Sequence, residues 1–150
     1  MGFLDFYKWV LPDQAAHLNG YRDNEQLYNM ALAFWDDLNS ASIWFLILFI
    51  ALGLILVCFY YYGYNKWPGR KYKVWQWAVW IAVTYFITMI ATDAIGSTIV
   101  TTTLKEKSGF LLRISLVNGL YSMIVYFIAS LIICNIPVPT NAYRFLKIVK

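Results

Sequence analysis

Residues 43–62, IWFLILFIALGLILVCFYYY, run for twenty positions without a charge and without Asn, Gln or Pro. A helix rises about 1.5 Å per residue, so about 20 apolar residues cover the roughly 30 Å hydrocarbon core of a bilayer. This stretch has that length, and it predicts a transmembrane helix. Composition makes the same demand of the whole chain. Its 150 residues are 61% hydrophobic and 13% charged, whereas soluble domains are about 45–50% apolar and about 25% charged. Mean hydropathy is +0.55. A chain this short cannot hide so much apolar surface in a water-soluble core, because its surface is too large for its volume.

Two further runs extend the pattern. One covers residues 74–95 and can continue as helix to Thr103. The other covers 114–136 and is stopped by Pro137 and Pro139, which cannot sustain interior helix hydrogen bonds. Open sheet is excluded at membrane depth, where each unpaired backbone group costs several kcal/mol. The expected fold is all-α: a polytopic membrane protein with three transmembrane helices and N-terminal amphipathic helices. It divides into an acidic segment (1–42), a three-span domain (43–136) and a basic tail (137–150).

Flanking charge sets the expected orientation. The first connection carries Lys66, Arg70, Lys71 and Lys73 with no acid, and the tail carries Arg144, Lys147 and Lys150, again with none. Three spans put both on one side, the cytoplasm, with the N-terminus outside, in a plasma or inner membrane. The second connection weakens this bias with Lys105, Lys107 and Arg113 against Glu106. Tyr60, Tyr61, Tyr62, Tyr64, Trp67, Tyr72, Trp75 and Trp77 crowd the cytoplasmic helix ends as an aromatic belt. The same belt accounts for the basic residues, so nucleic acid is not an expected partner.

Residues 1–42 hold Asp5, Asp13, Asp23, Glu25, Asp36 and Asp37 against Lys8 and Arg22. The first residues lack the basic region and cleavage site of a signal peptide, and position 6 lacks the hydroxyl of a myristoylation motif, so insertion is expected to depend on the internal spans. Phe3, Leu4, Phe6, Tyr7, Val10 and Leu11 fit one helical face, closed by Pro12. Asp23 with Gln26 three residues later reads as a capping box. Leu27, Ala31, Phe34, Trp35 and Leu38 then share a face, with Asp36 and Asp37 off it. Both pieces are expected to lie at the outer interface or to dock on another subunit. The acidic polar face favours the second, since interfacial helices usually carry Lys and Arg.

Inside the spans the polar residues are patterned. At about 100° per residue, Ser115, Gly119, Ser122, Tyr126 and Ala129 form a narrow stripe, flanked by Asn118 and Ser130. Thr84, Thr88, Thr92 and Gly96 recur every fourth residue. Such small-residue ridges mark close helix packing. Span one has no polar residue but Cys58 and is expected to face lipid all round. Asp93 is the sole acid within a span. If its helix stops near Ile95 the carboxylate is solvated. If the helix continues, Asp93 is buried near Asn118 or Ser122 and becomes a functional candidate. Arg113, opposite the stripe, is expected to snorkel to headgroups.

No enzyme motif is present. His17 has no second ligand at metal spacing, and Cys58 and Cys134 make no disulfide framework. No cofactor or metal is expected, and no catalysis. The expected function is a non-catalytic membrane subunit, structural or accessory, in a homo- or hetero-oligomeric complex with lipid and other membrane subunits as partners. The alternatives are a small oligomeric channel or transporter component, with Thr84, Thr88, Thr92 and Asp93 lining a polar path, and a membrane-resident immunity or regulatory protein.

Overall fold

The computed structural model describes residues 3–64 and 74–135, and every regular element among them is helical. A short 3-10 turn, Phe3–Tyr7, precedes α1 (Gln14–Asn19), α2 (Glu25–Cys58), α3 (Val74–Ile99) and α4 (Lys107–Asn135). A π-helical turn, Phe59–Gly63, continues α2 at its end. Three of these helices are long and apolar enough to cross a membrane. The basic stretches that set the expected orientation lie outside the described residues.

Helix boundaries differ from the sequence reading in instructive ways. The second amphipathic piece and the first span are one uninterrupted helix, α2. Its cap is Asn24 rather than Asp23: Asn24 Oδ1 accepts from the Gln26 and Leu27 amides at 3.1 and 3.2 Å. An Asn at this position satisfies two of the amides that a helix start leaves orphaned. The 3–11 piece is not a continuous α-helix. It makes the 3-10 turn and then irregular chain, with Tyr7 and Leu11 buried and Phe6 exposed. Helix α4 starts at Lys107, a full turn and more before the expected 114.

The contacts fall into two compact units, each drawing on all three long helices. Among the described residues, those up to 48 form one with 89–118, and 49–88 form the other with those from 119 onward. In the first unit Ala31, Phe34, Trp35, Leu38, Ala41 and Phe45 are buried along α2. Phe110 covers them from α4, edge-on to Phe34 and Trp35 at 5.4 and 5.9 Å between ring centres. The amphipathic face of residues 27–38 is therefore met by the chain's own α4, with Leu27 left outside. This replaces the expectation of a face resting on lipid or on another subunit.

In the second unit Val57, Tyr60, Tyr61, Tyr126, Ala129 and Cys134 form a buried cluster, with Trp77, Trp80 and Ile81 packed against it. Tyr61 Oη and Cys134 Sγ share a hydrogen bond of 2.9 Å, and Trp77 Nε1 donates to Ser130 Oγ at 3.3 Å. Gly53 of α2 lies so close to α4 that an added Cβ would sit 2.8 Å from Val125 Cγ1 and 3.1 Å from the Ser122 carbonyl oxygen. Span one is thus not bare to lipid all round: Phe45, Gly53, Val57, Tyr60 and Tyr61 are buried.

Candidate functional site

Buried hydrogen bonds from three other segments meet at Asn118. Its Oδ1 accepts from Tyr7 Oη at 2.8 Å. Its Nδ2 donates to the Phe45 carbonyl oxygen at 3.0 Å and to Thr92 Oγ1 at 2.8 Å. One fully buried amide therefore joins the N-terminal segment, α2, α3 and α4. Three of its four hydrogen-bonding positions are filled, which offsets most of the cost of burying a carboxamide. Around it, Ser115 bonds back to the Leu111 carbonyl, and Gly96 brings α3 within 2.7 Å (measured from a hypothetical Cβ) of a Leu111 methyl.

The other stripe residues are also turned into the chain. Ser115, Asn118, Gly119, Ser122 and Tyr126 are all buried, as are Thr84, Thr88, Thr92 and Gly96. Gly119 faces Tyr85, Ser122 Oγ bonds the Gly119 carbonyl, and Thr84 Oγ1 bonds the Trp80 carbonyl. Asp93 is the exception. Helix α3 does continue past Ile95, yet Asp93 is exposed on its flank, beside Ser97, Lys105 and Lys107. Thr92, one residue earlier and about 100° away, takes the place beside Asn118 that a continued helix would have given Asp93 in one of the two expected cases. The three threonines and Asp93 do not share a face. Lys107 Nζ, meanwhile, donates to the Ser97 and Val100 carbonyls at the end of α3, a cation satisfying terminal carbonyls.

Among the described residues Thr88 Oγ1 and Tyr126 Oη lack a hydrogen-bond partner. Removing an unpaired buried hydroxyl is neutral or favourable. Tyr126→Phe is expected to leave stability unchanged or raise it by up to about 1 kcal/mol, read by denaturation in detergent. A loss of that size would show that the hydroxyl is bonded after all.

Three residues outside the predicted set anchor the N-terminal region. Tyr7 is one. His17 is the second, its side chain only 9% exposed. Trp35 Nε1 donates to its Nδ1 at 3.1 Å. An indole N–H can only donate, so Nδ1 accepts and Nε2 carries the proton that faces Glu106 Oε2 at 3.0 Å. Tyr21, Trp35 and Phe110 enclose the ring edge-on. His17 is thus enclosed by its own chain. Asp37 is the third. Its Oδ2 accepts from the amides and hydroxyls of both Thr101 and Thr102, at 2.9 to 3.3 Å.

Asp37 lies on the part of α2 that precedes the apolar run. Burial opposes its ionisation, but the four hydrogen bonds prevail and hold its carboxyl below the ordinary value of 3.8. A depressed pKa gives stability that is present above that ordinary value and lost as pH falls through the folded one. Asp37→Ala is expected to cost about 1 kcal/mol at neutral pH, a figure kept small because solvent reaches the site. The deficit relative to wild type should shrink in acid. An equal deficit at both pH values would contradict the carboxylate's role. Comparison with protein-family models, with curated proteins and with solved structures finds no match.

Proposed function

We propose that this chain is a non-catalytic integral membrane subunit, structural or accessory, that works in a homo- or hetero-oligomeric complex. One observation carries the reading. Large apolar side chains stand outward on all three long helices, among them Trp44, Ile55, Phe86, Ile90, Ile124 and Ile132, while Thr92, Ser115, Asn118 and Ser122 of the same helices are turned in. Water does not tolerate apolar surface on that scale, whereas lipid solvates it and rewards polar groups that pair inside.

The N-terminal segment supplies the surface for a partner. Tyr7 and His17 pin it, so its outward groups are held in place rather than floating. These include exposed Phe6 and Trp9, and the Asp5–Lys8 ion pair of 2.9 Å beside a cleft floored by Leu11 and Trp35. A fixed, aromatic and charged face is the composition favoured at protein interfaces. A polar path draws less support, because Asp93 points away from the buried threonines.

Native mass spectrometry of the chain extracted in mild detergent tests the reading. A complex heavier than the 17.5 kDa chain is expected, lost in a Phe6→Ala/Trp9→Ala variant whose thermal stability is unchanged. Deleting the segment is a poor test, since Tyr7 belongs to the core. A monomer in every detergent overturns the subunit reading. Ion flux in liposomes, abolished by Asp93→Asn, would replace it with the channel.

A further inference from the structure

The connection between α3 and α4 and the first two turns of α4 carry Lys105, Glu106, Lys107 and Arg113, and these charges are used differently. Glu106 is engaged by His17, and Lys107 by the end of α3. Lys105 and Arg113 are exposed, and among the described residues neither side chain has an ion pair or hydrogen bond. Both line one open cleft of about 570 Å³, together with His17, Glu106, Ser108 and Gly109. A side chain at Gly109 would meet nothing within 4 Å, so the cleft is roomy there. Two cations against the single Glu106 carboxylate leave the cleft net positive, and an anion would pair with them. A guanidinium binds phosphate oxygens in pairs, and an ammonium adds a point charge.

Next to Arg113 on α4, Leu112 and Leu116 are 52% and 39% exposed. The ligand that matches both features has a phosphate and an apolar tail. We propose that this cleft is a headgroup site for an anionic phospholipid, with its phosphate held by Lys105 and Arg113 and its acyl chains along Leu112 and Leu116. The proposal rests on the membrane residence argued above. It also gives Arg113 a fixed partner where general snorkelling to headgroups would show no preference among lipids.

The test is native mass spectrometry of the full chain from nanodiscs holding equal phosphatidylglycerol and phosphatidylcholine. Wild type is expected to retain phosphatidylglycerol in preference. Each basic side chain near a membrane surface contributes about 1 kcal/mol toward anionic lipid, so Lys105→Gln/Arg113→Gln should weaken that retention roughly 30-fold. Lys8→Gln, which removes a cation already paired with Asp5 and outside the cleft, should leave it intact. Unchanged helix content and melting in the double variant exclude misfolding as the cause. Equal retention of the two lipids, or loss of preference in Lys8→Gln, overturns the site. Displacement by millimolar inorganic phosphate would assign the cleft to a soluble phosphate and overturn the lipid. Failure of wild type to float with vesicles of either composition overturns membrane residence itself, a result distinct from insertion without preference.

Discussion

Asn118→Leu is expected to cost about 3 kcal/mol of stability, the largest loss for any single side chain in the spans. Leucine fills nearly the same volume, so the loss reports hydrogen bonds rather than a cavity. Three bonds disappear together, to Tyr7, Phe45 and Thr92. Each buried hydrogen bond contributes about 1 kcal/mol net, with about 0.6 typical inside membranes. Losing the Tyr7–Asn118 bond also removes a tie on the N-terminal segment, which can then come away to meet water. That release is itself an outcome to measure, as quenching of Trp35 fluorescence beside His17 and faster proteolysis before residue 24. Unfolding in a denaturing detergent should shift accordingly. A change below about 0.5 kcal/mol, the level of an ordinary surface substitution, would mean that the amide does not join the four segments.

Gly119→Val is expected to be nearly as damaging, by a different mechanism. A Cβ on Gly119 would lie 2.8 and 2.9 Å from the Tyr85 ring and 3.1 Å from the Tyr85 carbonyl oxygen. The ring can turn aside, but the backbone oxygen cannot without moving α3. Overpacking of that kind costs about 1–3 kcal/mol, and a branched residue falls at the upper end. Gly109→Ala is the matched control. It also places a side chain on α4, but in open space, so helix propensity should leave it neutral or more stable by up to about 1 kcal/mol. If the two substitutions behave alike, close approach of α3 at Gly119 is wrong.

The sequence made the three long helices legible because length and hydropathy are local properties, and residues 43–62 state both without ambiguity. It also made the buried phases of α3 and α4 legible, since four-residue spacing of Thr84, Thr88, Thr92 and Gly96 marks a ridge. What the spacing could not say is who meets the ridge. A small-residue stripe packs equally well on a partner or on its own chain, and here its own chain occupies it. Asp93 shows a reading that local rules could have corrected. A ridge that turns Thr92 inward rotates Asp93 outward by about 100°, so an inward carboxylate and an inward threonine ridge were incompatible from the start. Gly53 likewise carried a signal, because a lone glycine in an otherwise large apolar span marks close approach of a neighbour.

The N-terminal contacts had no such signal. Tyr7 meets Asn118 across 111 residues, His17 meets Glu106 across 89, and Asp37 meets Thr101 across 64. No periodicity encodes a pairing at those separations. The acidic composition of residues 1–42 pointed instead to an external partner, when part of that charge is spent within the chain, on Thr101 and Thr102. Likewise the apolar face of α2 ahead of the run is covered by Phe110, a residue that a third span beginning at 114 leaves out.

A double-mutant cycle between Tyr7 and Asn118 in lipid nanodiscs tests most directly whether the spans spend their polar groups inside the chain. Tyr7→Phe, Asn118→Leu and the double variant would be compared by reversible unfolding. A coupling of about 1 kcal/mol or more is expected, the range found for residues sharing a hydrogen-bond network. Strict additivity of the two substitutions would contradict it, and would return both the N-terminal segment and the Asn118 stripe to surfaces awaiting a partner.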